Sequence, residues 1–103
     1  MTERDYLDVK SDPDTVFSFL ADLSDPTFKI KSKDPSSRQI FFSTGVSLFS
    51  WGENIEVTVL RITGGSRVLV RGQGKFQLNL TANPRDPIDQ IVSKLKERFE
   101  IIS

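Results

Sequence analysis

Four groups of residues in this 103-residue chain are of types that could do chemistry. Two are acidic pairs, Asp12 with Asp14 and Asp86 with Asp89, of the kind that serves a metal ion or acid–base work. The third is Gly72-Gln73-Gly74-Lys75, a glycine-rich string ending in a cation, as phosphate loops do. The fourth is Arg61, a cation inside an apolar alternation. None makes a catalytic constellation. Both acidic pairs fall at helix starts, where capping and the helix dipole favour carboxylates. The glycine string lacks the strand-then-helix context and the Ser/Thr partner of a phosphate loop. Histidine and cysteine are absent. That removes the commonest general base, a common transition-metal ligand, and all thiolate and disulfide chemistry. The chain reads as non-enzymatic, with no catalytic residue, no metal site and no cofactor; an enzyme, the third reading, would have to rely on carboxylates, Arg61 or Tyr6.

The elements that must position these groups are mostly strands. Ile55, Val57 and Val59 alternate with Glu56 and Thr58; Val68 and Val70 alternate with Arg67 and Arg71; Ile40, Phe42, Val46 and Leu48 share one parity. Period-two alternation marks half-buried strands. Thr63-Gly64-Gly65-Ser66 is the clearest turn, and a two-residue loop at Gly64-Gly65 sets Val59 opposite Val70 and Arg61 opposite Val68. A loop at Trp51-Gly52 sets Leu48 opposite Ile55 and Phe42 opposite Arg61. Phe76, Leu78 and Leu80 keep the parity of Val70, which a two-residue hairpin at Gln73-Gly74 would break; one strand bent at Gly72 and Gly74 is favoured over a three-residue loop with a bulge.

Helices flank this sheet. Asp12 and Pro13 form a cap-plus-proline start for a stripe of Val16, Phe17, Leu20, Ala21 and Leu23. Asp86-Pro87 repeats that start before Ile88, Ile91, Val92, Leu95, Phe99 and Ile102. Tyr6–Lys10 and Thr27–Lys31 read as further short strands, with a turn at Lys33–Ser37. The order is β-α-β-β-β-β-α, an α+β class, and residues 1–103 read as a single domain. Fourteen basic and fourteen acidic residues cancel, so there is no electrostatic case for nucleic acid. Apolar runs fall far short of the ~20 residues of a membrane span, and the charged first residues lack a signal-peptide core. Cytoplasm is the expected location.

Val9–Leu23, with its strand, small-polar-Pro segment and helix, resembles the opening of the Bet v 1-like superfamily, which includes polyketide cyclase-like and START-type domains. The closing helix, Pro87–Ile102, is similar to theirs as well. The resemblance implies a helix-grip fold, in which one curved antiparallel sheet holds the C-terminal helix on its concave face. It also implies that the space between can hold a small apolar ligand. The chain is shorter than typical members, which implies that one or two strands and the second short helix are missing and that the cavity is smaller or absent. The superfamily has no universal catalytic motif, so no functional residue carries over by position.

Two site expectations follow. A ligand pocket near the bend would be bordered by Phe42, Arg61, Gly72, Gly74, Phe76 and Phe99, because the paired glycines remove side chains from the inner face. Alternatively, the two assumed registers bring Phe41 beside Ile62 and Leu60 beside Leu69 on the outer face. Contiguous apolar residues there would suit a homodimer or a protein partner. Trp51, in the string Ser50–Asn54, reads first as an edge of the core folded over a neighbouring element, with an anchor for a ligand or partner as the alternative.

Overall fold

A computed structural model describes residues 2–23, 28–44, 53–74 and 85–102. Seven elements follow in the expected order: β1 (Thr2–Val9), α1 (Pro13–Ala21), β2 (Phe28–Asp34), β3 (Gln39–Thr44), β4 (Glu53–Ile62), β5 (Gly65–Gly74) and α2 (Arg85–Arg98). The strands form one antiparallel sheet in the order β1-β5-β4-β3-β2. Alternation puts Leu7, Val9, Ile40, Phe42, Ile55, Val57, Val59, Val68 and Val70 on one buried face. Both helices pack there, through Val16 and Leu20 of α1 and Ile88, Ile91 and Leu95 of α2, and all join one core. Each large apolar side chain so buried contributes roughly 1.5–3 kcal/mol. No helix among the described residues is long and apolar enough to cross a membrane.

Local chemistry explains where α1 begins. Asp12 takes an extended conformation, and its carboxylate accepts from the Thr15 N–H at 3.0 Å and the Thr15 hydroxyl at 2.6 Å. Pro13 occupies the first turn, where a missing N–H costs nothing. The β2–β3 turn is also held by a side chain: Asp34 Oδ1 accepts from the Ser36 N–H and hydroxyl at 3.1 and 2.7 Å. Arg38 closes that turn with a φ of 53°, while its guanidinium reaches Asp14 at 2.9 Å and ties the turn to α1.

Both hairpin registers differ from those expected. In β4–β5, Val59 faces Val68 and Arg61 faces Ser66, a displacement of two residues. The loop is Thr63-Gly64, and only Gly64 has a positive φ, at 84°. Gly65 is the first residue of β5, and a Cβ there would lie 1.9 Å from the Val9 carbonyl oxygen. One glycine makes the turn; the other admits the neighbouring backbone. In β3–β4, Phe42 faces Ile55 rather than Arg61, a displacement of six residues; the turn expected at Trp51-Gly52 falls in segment 45–52. Val46, Leu48 and Trp51 lie in that segment, outside the described residues. β5 does run on through Gly72 to Gly74, paired with Ile55 and Glu53; Phe76, Leu78 and Leu80 lie beyond the described residues.

α2 ends earlier than its apolar stripe. The helix stops at Arg98, and the chain beyond it turns onto the edge of β1. Lys10 N–H donates to the Glu100 carbonyl and Ile102 N–H to the Asp8 carbonyl, both at 2.9 Å, with Ile101 bridged to Val9. Ile102 is consequently exposed rather than part of the buried stripe.

The two glycines should respond differently to substitution. Gly65→Ala forces backbone apart and should cost ~1–3 kcal/mol, as overpacking does. Gly64→Ala meets open space and carries only the left-handed conformational penalty, roughly 1–2 kcal/mol. Urea unfolding of the two variants should therefore show Gly65→Ala as the less stable; the reverse order would place the turn at Gly64-Gly65 after all.

Candidate functional site

The register resolves the inner face into rows. One row runs Glu3, Gly72, Ile55, Phe42 and Ile30 across β1, β5, β4, β3 and β2. The next row sets Gly74 of β5 opposite Glu53 of β4. Phe42 and Ile55 are buried, as is Gly72. Val70 is the last side-chain-bearing inner residue of β5; from there to Gly74 is ~13 Å of strand with only backbone on that face, at ~3.3 Å per residue. α2 packs against β5 and β1, while α1 packs against β3, β4 and β5.

This corner also holds a buried carboxylate. Glu53 is 7% exposed and Thr44, on β3, is 9% exposed. The Glu53 N–H donates to Thr44 Oγ1 at 2.6 Å, and the Thr44 hydroxyl donates to Glu53 Oε2. A hydroxyl has one proton. With a backbone N–H already pointing at the Thr44 oxygen, that proton goes to the carboxylate, and the orientation of Glu53 is fixed. Burying a carboxylate is expensive unless hydrogen bonds satisfy it, so its place on an apolar face is a feature to be explained.

The five described residues of the pocket expected from the sequence do not all lie together. Phe42 and Gly72 lie in one row, and Gly74 is in the next. Arg61 faces Ser66, six strand residues from Gly72 or ~20 Å, and it is exposed. Phe99 follows α2 at that same far end and packs edge-on against Phe19 of α1, with ring centroids 5.3 Å apart. Phe76 is outside the described residues. Glu53 and Thr44 went unnoticed in the sequence, yet their parity matches Ile55 and Phe42. Alternation alone puts them on the inner face.

The outer face is arranged differently from expectation too. Leu60 faces Arg67, Leu69 faces Thr58, Phe41 faces Glu56, and Ile62 faces Gly65. Leu60 and Leu69 are exposed, while Phe41 and Ile62 are half-buried. Leu69 instead has Tyr6 beside it, exposed on β1. Arg67 interrupts this patch. Its guanidinium lies 4.9 Å from the centre of the Tyr6 ring and makes two bonds to Asp8, at 2.8 and 2.9 Å. Those bonds hold the Asp8 carboxyl below the usual aspartate range, and the nearby positive charge adds to the effect against the opposing pull of burial. Around Phe41 lies a separate shallow groove of about 390 Å³, lined by Lys31, Ser32 and Asn54 as well.

Comparison with known proteins bears on the fold alone. No family model and no curated protein matches the sequence. Among solved structures, the chain is similar to Ara h 8.0201, a Bet v 1 allergen, with a TM-score of 0.67 and 11% identity over 94% of this chain and 93% of that one. It is also similar to BexL, a di-domain ARO/CYC from the BE-7585A biosynthetic pathway, with a TM-score of 0.62 and 14% identity. That match covers 94% of this chain and 43% of BexL. The fold is Bet v 1-like, with an open antiparallel sheet of five strands and two helices among the described residues.

The Asp8–Arg67 pair sets a pH dependence. The folded-state pKa of Asp8 lies below its ordinary value of 3.8. Its contribution is therefore complete above that value and is lost as pH falls through the lower, folded value. Asp12 and Asp34 are shifted the same way, chiefly by the hydroxyls of Thr15 and Ser36 respectively. Asp8→Asn should be less stable than the unmodified chain at about pH 6, with the gap narrowing towards about pH 3. Urea midpoints measured across that range check it; a gap constant with pH would contradict the assignment.

Proposed function

We propose that this chain is a non-enzymatic module that binds a small apolar ligand on the inner face of its sheet, in the corner formed by Phe42, Ile55 and Gly72. The observation that carries this reading is the stretch of β5 from Val70 to Gly74, where two inner positions in succession have no side chain. On a face that is otherwise filled with Val, Ile and Phe, that stretch is the place where an apolar molecule can lie against the sheet. The Bet v 1-like fold supports the same reading, because proteins of this fold are known for ligand binding. The packing of α2 against β5, the strand that carries both glycines, supports the same reading.

Titration with Nile red, a neutral apolar dye that brightens on leaving water, tests the reading. Saturable fluorescence is expected for the unmodified chain. Gly72→Leu fills the corner and should weaken binding by roughly tenfold or more, the ~1.4 kcal/mol that a tenfold loss represents, while circular dichroism shows the fold retained. An absence of saturable binding, or equal binding by a folded Gly72→Leu, would overturn the proposal.

A further inference from the structure

The sheet has two edges, β1 and β2, and they are finished differently. β2 carries a bulge between Ile30 and Ser32 and three lysines, Lys29, Lys31 and Lys33. Bulges and lysines discourage an edge from adding a further strand. β1 has neither, and its eight residues pair with β5 without a break. Along an antiparallel strand, alternate residues turn their backbone groups to opposite sides. The Lys10 N–H and the Asp8 carbonyl bond the residues after α2, on the side away from β5. Tyr6, Arg4 and Thr2 share the parity of Asp8, so their N–H and C=O groups turn to that same side. The tail after α2 therefore shows that this edge takes an antiparallel strand, and among the described residues it covers the edge only as far as Asp8. At the next outward-turned residue, the Tyr6 N–H donates to Asp5 Oδ1 at 2.8 Å.

We infer that the β1 edge fits β1 of a second copy of this chain, and that Asp5 keeps the two apart. Outward-turned residues pair only with outward-turned residues, which limits two antiparallel copies to a few registers. Those centred nearer the tail collide with it. Two registers use most of the open stretch. In one, Asp5 stands opposite the second copy's Asp5, and Arg4 opposite its exposed Tyr6. In the other, Asp5 stands opposite the second copy's Glu3, and Arg4 opposite its Arg4. Directly opposed residues have Cβ atoms ~4.5–5.5 Å apart, where like charges are destabilising. Asp5 thus acts twice. It sets carboxylate against carboxylate in either register, and it occupies the Tyr6 N–H that an added strand needs. With valine at this position, the first register loses its one like-charged pair and keeps the two contacts of Arg4 with Tyr6. The inference stands apart from the ligand reading, which concerns the inner face.

Analytical ultracentrifugation tests this. The unmodified chain should sediment as a monomer. Asp5→Val should shift it to a dimer, with a dissociation constant ~10-fold or more below that of the unmodified chain. Adding Arg4→Pro should restore the monomer, because proline there removes only an N–H that faces away from β5. Circular dichroism reports whether each variant keeps the fold. A folded Asp5→Val that stays monomeric would overturn the inference, and so would a dimer that survives Arg4→Pro. An unmodified chain that already dimerises, and that Arg4→Pro dissociates, would overturn it as well, since Asp5 then keeps nothing apart. Should Asp5→Val not fold, Asp5→Thr, which also suits a strand and lacks the charge, is read in its place with the same outcomes.

Discussion

The end of β1 is clasped from both sides, and the placement of both helices depends on that clasp. On one side Val9 pairs with Ser66 of β5, whose hydroxyl donates to the Ser11 carbonyl at 2.7 Å. On the other side the residues after α2 pair with Asp8 and Lys10. α1 leaves the sheet three residues after this point, and α2 returns to it from the opposite direction. Because the two helices are fixed at one junction, their apolar stripes are committed to the same face. Gly65 is the steric condition for the junction, since β5 there runs too close to the Val9 carbonyl for any side chain.

The consequence is an asymmetric core. Near the junction the inner face is fully occupied by aliphatic side chains, with Phe19 and Phe99 stacked edge-on between the helices. Away from it, β5 gives up its side chains at Gly72 and Gly74, and β4 presents Glu53. A well-packed protein interior excludes both bare strand and buried charge unless something else is gained. Their occurrence at one corner sets that corner apart from the aliphatic part of the core, and the proposed site lies there. Arg61 and Phe99 both lie at the junction end of the sheet, Arg61 exposed and Phe99 buried against Phe19.

Much of this was legible in the sequence. Period-two and helical spacing identified the elements and their order, and Asp12-Pro13 located the start of α1. What alternation cannot see is an even shift of register, because moving a strand by two residues leaves every side chain on its own face. Both errors were of that kind, by two residues in β4–β5 and by six in β3–β4. The faces were therefore right while the cross-strand neighbours were wrong, which is why the outer patch did not assemble as expected. The end of α2 was hidden for another reason. Ile102 continues the helical stripe in sequence, but unpaired backbone on the edge of β1 draws the chain out of the helix. Glu53 was missed because a charged residue at a strand start reads as solvated, although its parity already placed it inside.

The central claim concerns which face of the sheet receives a ligand, and a map of backbone amide shifts decides it. Two-dimensional nitrogen–proton spectra recorded during Nile red addition should show the largest changes at Phe42, Glu53, Ile55 and Gly72, with Tyr6, Leu60 and Leu69 nearly unmoved. Changes centred on those three outer residues, or spread evenly over both faces, would contradict the account.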